Sequence, residues 1–199
     1  GVGVTSSTWR VRLDAAPAGI PPTLIVKLSS PAPAMREVAR MLDLYGREVS
    51  FYRHAAASLE GRLPHCFHGA SDRESVDHVL VLEDLVDHEP GDQLLGDLSL
   101  VEATLDELAR LHAAWWSDVD DDRLAWLEST LAPELVEGSV AMFYATFCER
   151  WAERLGPEIM HDIERASARV GALVRLIDRP PRTLAHGDAR VDNVMRRRN

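Results

Sequence analysis

The sequence of 199 residues predicts an α+β protein: a small antiparallel sheet with one helix, followed by a mainly helical half. Two observations in the first half predict the sheet. Residues 8–28 and 63–85 each read as two short strands folded back through a turn. A third observation supplies the helices, because apolar residues recur at helical spacing between the hairpins and again from Ser99 onward. The length admits one domain or two small lobes sharing a cleft.

Element by element, Thr8–Leu13 is a strand, and the small-residue and proline turn Asp14–Pro22 joins it to Leu24-Ile25-Val26-Lys27-Leu28. A helix is expected over residues 34–58, with Val38, Met41, Tyr45, Val49 and Tyr52 as its buried stripe. Leu63–Ala70 and Asp77–Leu85 form the second hairpin. Its run Val79-Leu80-Val81-Leu82 is continuously apolar, as in a strand covered on both faces. The Asp-, Gly- and Pro-rich segment 87–97 is the boundary between a first lobe, residues 1–86, and a second, residues 87–199. Ser99-x-x-Glu102 reads as a capping box, with Val101, Leu105, Leu108, His112 and Trp115 along the face behind it. Two further helices are expected, at residues 132–155 and 157–177. No internal repeat or low-complexity tract occurs.

Composition excludes several classes. With 46% hydrophobic and 27% charged residues, the chain has the balance of an ordinary soluble globular protein. It has no signal-peptide pattern, and no apolar run approaches the roughly 18 residues of a membrane span, so membrane insertion is not expected. A net charge of -10 argues against a nucleic-acid partner, and the one basic run, Arg196-Arg197-Arg198, reads as a solvated turn. Cys66 and Cys148 follow no metal or redox spacing, so idle thiols in a cytoplasmic protein are the expectation. His65, Cys66 and His68 are metal-ligating types without a second cluster. Asp118, Asp120 and Asp122 imitate a calcium loop but fail it, with Arg123 at the glycine position and Ser129 at the bidentate position.

One detail of composition is sharper. Of 22 basic residues, Lys27 is the only lysine. An ammonium is a compact point charge suited to a tight phosphate site, whereas a guanidinium is a broad fork; chance is the competing reading. Glu48 projects from the same face as Tyr45 and Tyr52. A carboxylate there either finds a cation or reaches solvent at the stripe's edge.

The densest motif is His186-Gly187-Asp188-Ala189-Arg190-Val191-Asp192-Asn193. An Asp followed five residues later by an Asn makes sense in phosphoryl transfer, where the Asp accepts the proton of an attacking hydroxyl and the Asn holds a magnesium ion. Such chemistry is mostly positioning and charge neutralisation.

This loop resembles that of the aminoglycoside phosphotransferase and choline kinase families, and more narrowly the bacterial relatives of ecdysteroid-kinase-like enzymes. Other segments match in order: Val26-Lys27-Leu28, Arg47-Glu48-Val49-Ser50-Phe51-Tyr52, Val81-Leu82-Glu83-Asp84-Leu85 and Leu108-Ala109-Arg110-Leu111-His112-Ala113. The resemblance covers nearly the whole chain and implies a protein-kinase-like two-lobe fold and transfer of the ATP γ-phosphate to a hydroxyl of a small molecule. It implies that Lys27 binds the ATP phosphates, Glu48 holds Lys27, and the backbone of Glu83, Asp84 and Leu85 meets the adenine edge. Gly1, Gly3 and Ser6 are then remnants of the loop covering the phosphates, with Ser6 where a third glycine would fall. Asp188 is the base, Asn193 the Mg2+ ligand, and His186 a brace for the loop.

The resemblance also implies a second metal-binding aspartate, in a triplet like Ile-Asp-Trp, which the sequence does not reach before Asn199. On that reading the chain is truncated at both ends and inactive as written. A non-catalytic kinase-like binding module is the alternative; a metal-dependent hydrolase is weaker. Trp115, Trp116, Trp126 and Trp151 read as core before they read as a substrate pocket. The acidic residues Asp87, Asp92, Asp97 and 118–122 could bind a cationic amine or be ordinary surface, so the acceptor stays open.

Overall fold

The computed structural model describes residues 5–59, 63–94, 97–119, 122–127, 132–177 and 179–198. The chain is α+β and forms two compact units: Gly1–Leu127 with Thr183–Asn199, and Glu128–Arg182.

In the first unit, β1 (Ser6–Arg12) and β2 (Thr23–Ser29) pair antiparallel, with Lys27 opposite Thr8. The Leu13 N–H closes the turn on the Pro22 carbonyl at 2.9 Å. The second hairpin is β3 (Cys66–Asp72) and β4 (Asp77–Glu83). Its turn is set by the Asp72 carboxylate, which accepts from the Glu74 and Ser75 N–H groups at 2.8 Å each. β2 also pairs with β4, giving a four-stranded sheet in the order β1-β2-β4-β3. Both expected hairpins therefore form, and the strand carrying Lys27 is central. β4 differs from expectation: His78, Leu80 and Leu82 are buried, while Val79 and Val81 are only partly covered. One face of the strand is packed, and the other is only partly shielded.

The helix expected over residues 34–58 is broken. α1 (Pro33–Met41) ends at Leu42, and α2 (Leu44–Ser50) restarts after Asp43, which takes a left-handed conformation at φ 48°. Asp tolerates that region better than most residues. Gly46 leaves room for the Asp43 carboxylate, which a Cβ would strike. The chain then continues through a π-helical turn, Phe51–Ala55, and a 3-10 turn, Ala56–Leu59. The break resets the helical phase, so Tyr45 and Val49 are buried as expected but Val38 and Met41 are exposed, and Ala39 is buried in their place. α2 seats Val49 on Leu80 and Leu82 of β4. Burying a side chain the size of Leu80 contributes roughly 1.5–3 kcal/mol.

A second small sheet joins β5 (His88–Pro90) to β6 (Met195–Arg197), tying the segment after β4 to the segment after the His186–Asn193 loop. Gly91 is needed there: its N–H bonds the Val194 carbonyl at 3.0 Å, and a Cβ would collide with the Val191 carbonyl. α3 (Leu98–Ala114) is capped by Asp97, whose carboxylate accepts from the Leu100 N–H at 3.2 Å. Ser99, expected as the cap, instead donates its hydroxyl to Asp97. The buried face moves accordingly, to Leu100, Thr104 and Leu111, one residue back from the expected stripe; Val101 and Leu105 are exposed, and Trp115 is buried as expected. Trp115, Leu111, Ala55, Leu124 and Leu184 form one core cluster against which Trp126 packs, whereas Trp116 is exposed.

In the second unit, α4 (Pro133–Ser167) is two helical stretches meeting at Gly156, whose φ of 77° is not helical, followed by Pro157. A Gly-Pro step loses both the helical dihedral and the N–H donor. The expected break between residues 155 and 157 is there. The second stretch stops at Ser167, and α5 (Val170–Ile177) follows. α5 lies against the start of α4, where Arg175 faces Glu134 and Glu137 at 3.6 and 4.0 Å. Among the described residues, no helix is long and apolar enough to cross a membrane.

Candidate active site

Two clusters in the first unit carry the sequence-predicted residues. In one, β2 and α2 bring the Lys27 ammonium onto the Glu48 carboxylate. The side chains are 25% and 31% exposed, so this is a half-buried pair rather than a surface one. Behind Glu48 lies His78, whose Nε2 is 3.7 Å from its second oxygen. His78 is buried and stacks flat on Tyr45, with ring centroids 4.6 Å apart and an interplanar angle of 7°. Burial pushes its pKa down; Glu48 pulls it up and Lys27 lowers it further. The Tyr45 hydroxyl donates to the Thr5 carbonyl at 2.6 Å and accepts from the Ser30 N–H at 2.9 Å, tying α2 to both strands at the open end of the β1–β2 hairpin. Beside the pair, burial and the Glu48 charge push the Tyr52 phenol well above its ordinary range, and burial raises the Cys66 thiol.

The other cluster is the loop that follows the buried Leu184. Thr183 donates its hydroxyl to the His112 carbonyl at 2.8 Å, fixing the loop's start on α3. Gly187 takes φ +80°, a conformation other residues adopt at a cost. The Asp188 N–H then donates to Nδ1 of His186 at 3.2 Å. The Asn193 amide nitrogen bonds both the Asp188 backbone carbonyl and Oδ2, at 2.9 Å each. Arg190 Nε approaches Asp188 Oδ1 at 3.1 Å and Asp192 Oδ1 at 3.6 Å, and Gln93 donates to Asp192 at 2.5 Å. Beyond the loop, Arg196 pairs with Glu89 and Asp97 at 2.9 and 2.6 Å.

The segment Glu83-Asp84-Leu85 links β4 to β5. The Asp84 side chain is 2% exposed and held by Arg10 of β1 through two contacts, Nη2 to Oδ1 at 3.0 Å and Nε to Oδ2 at 2.8 Å. The Glu83 carboxylate accepts from the His65 N–H at 3.1 Å. Both carboxylates therefore make bonds within the fold. Ser6 is buried as the first residue of β1, opposite Ser29. Gly1 and Gly3 lie outside the described residues.

The structure thus joins Lys27 to Glu48 and Asp188 to Asn193. Among the described residues, no hydrogen bond or ion pair links the two clusters directly. Sequence reasoning missed His78, Tyr45's hydroxyl, Arg10 and Arg190. His78 carried one signal, a polar residue at the mouth of an apolar run. The acidic segment is partly used up: Asp97 caps α3 and meets Arg196, and Asp92 accepts from the Leu94 N–H. No group of three or more His, Cys, Asp or Glu able to hold a metal occurs among the described residues, His65, Cys66 and His68 included.

The first unit thus sets a lysine on a helix glutamate beside an antiparallel sheet and an Asp on an Asn within one loop. The sequence matches the ecdysteroid kinase-like family over residues 3–199, and the chain belongs to that family. No curated protein matches the chain, and no solved structure does.

Proposed function

We propose that this chain is an ATP-dependent phosphotransferase that moves the γ-phosphate to a hydroxyl of a small molecule. The observation that carries the reading is the exposed Asp188 carboxylate, held by Asn193 within its own loop, in a chain whose single lysine is paired with Glu48. In this reading residues 1–86 form the nucleotide lobe and residues 87–199 the helical lobe. Lys27 binds the ATP phosphates, and Glu48 holds Lys27. The backbone of Glu83, Asp84 and Leu85 meets the adenine edge. Asp188 takes the acceptor's hydroxyl proton as that oxygen bonds to the γ-phosphorus. The bond from phosphorus to the bridging oxygen breaks, and ADP leaves with the electron pair.

The donor set bears on a divalent ion. The Asn193 amide nitrogen is committed to Asp188, which leaves its carbonyl oxygen as a donor. With no ready-made carboxylate cage among the described residues, the fit is to an Mg2+ shared with the nucleotide's phosphates, whose charge it would neutralise.

The test is ATP-dependent phosphorylation of a panel of small alcohols by the full-length protein, with ATP-induced thermal stabilisation measured alongside. Asp188→Ala should slow transfer by about 10³-fold, or about 4 kcal/mol of barrier, and keep the stabilisation by ATP. Transfer within about tenfold of wild type would remove Asp188 as the base. A protein that ATP stabilises but that phosphorylates nothing would be a binding module.

A further inference from the structure

The His78 imidazole has a chemically odd position. Its side chain is fully covered, yet neither ring nitrogen has a hydrogen-bond partner among the described residues. A buried polar ring without partners is a cost that folds normally avoid. Its Nε2 is 3.7 Å from Glu48, too far for a hydrogen bond but near enough for charge to be felt. Stacking on Tyr45 fixes the plane of the ring, and Tyr45 is itself held at both polar contacts of its hydroxyl. The ring is therefore a rigid wall behind the carboxylate that holds Lys27.

We propose that His78 is a positioning residue for the Lys27–Glu48 pair: as a neutral ring it backs Glu48 and leaves that carboxylate to Lys27, and as a cation it competes with Lys27 for it. This rests on the reading of Lys27 as the phosphate-binding residue. The surrounding charges come from five elements. Glu48 of α2 favours the protonated ring and Lys27 of β2 opposes it. Arg36 of α1, with Asp72 of β3 and Asp77 of β4, lines the shallow cleft that His78 shares, and Arg36 is paired with Asp77 at 3.0 Å. Acid is then expected to loosen the pair as pH falls below the ordinary histidine range, about pH 6.5.

The test has two arms. The first is nucleotide-free: proton NMR titration of the His78 ring in wild type and in Glu48→Gln. The proposal expects the ring to titrate lower in the variant, because the anion favouring its charged form is gone. An unchanged titration would overturn it. The second arm measures ATP affinity from about pH 7.5 to about pH 5.5 in wild type and His78→Phe, with His78→Gln as a second uncharged replacement should Phe fail to fold. Wild type should lose affinity by about threefold or more on acidification, and the uncharged variant should lose much less. The same acid-side loss in both proteins would sink the proposal, since a merely structural ring would alter stability and leave the pH profile in place. If wild type binds no ATP at neutral pH, the phosphotransferase reading fails, and the NMR arm still decides whether His78 and Glu48 are coupled.

Discussion

Lys27 and Glu48 lie 21 residues apart and meet because β2 and α2 share a core, with both side chains largely covered. Asp188 and Asn193 lie five residues apart and meet within one exposed loop. The first pair inherits its geometry from packing: Val49 on Leu80, Tyr45 on His78 and the Tyr45 hydroxyl on the open end of the hairpin. The second inherits its geometry from local backbone, a left-handed glycine and three bonds inside eight residues. Damage to the core should therefore reach the first cluster, whereas side-chain changes in the loop should stay local.

The sharpest way to break the contrast is Leu80→Ala. Leu80 is fully buried between α2 and the sheet, so its truncation should cost about 2–5 kcal/mol by chemical denaturation. A cost below about 1 kcal/mol would mean that α2 is not seated on β4 as described. Next in size is Arg10→Ala, which leaves the buried Asp84 carboxylate without its partner. A loss of about 1–3 kcal/mol is expected, discounted because Arg10 itself is largely exposed. If Arg10→Met, which keeps the stem and removes the charge, cost nothing, packing rather than charge would hold this contact.

A smaller effect comes from His78, whose folded-state pKa is lowered mainly by burial. The unfolded chain binds the proton more readily, so the stability at stake is fully present above about pH 6.5 and is lost as pH falls through the lowered value. The slope contributed is at most about 1.4 kcal/mol per pH unit, and His78→Phe should flatten it in denaturation curves across that window. The smallest change is the one that matters most for activity. Asp188→Ala, expected to slow transfer by about 10³-fold, should move stability by no more than about 0.5 kcal/mol, because the carboxylate is exposed. A large loss of stability there would mean that the loop is part of the core.

The readable portion of the molecule follows this same division. Apolar runs and turn residues showed both hairpins, and Gly156-Pro157 marked a helix break, because these signals act over a few residues. The Asp188–Asn193 spacing was legible for the same reason. Helix faces were read less well. The left-handed Asp43 resets the phase before Tyr45, and the true cap, Asp97, rotates the buried face of α3 away from Val101 and Leu105. Ser99-x-x-Glu102 satisfies a local capping pattern, but Asp97 sits two residues earlier and takes the Leu100 N–H.

The sequence by itself determined the class of fold, the order of the strands along the chain, the kinship to kinase-like proteins and the local Asp–Asn motif. Each is written in residues close enough to be read together. Only the tertiary structure decided that Glu48 turns to Lys27 rather than to water, that His78 closes the wall behind it, and that Arg10 claims Asp84. Those contacts join residues 21, 30 and 74 positions apart. Which partner a half-buried carboxylate meets is settled by which side chains packing brings within a few ångströms, and periodicity along one element does not carry that information.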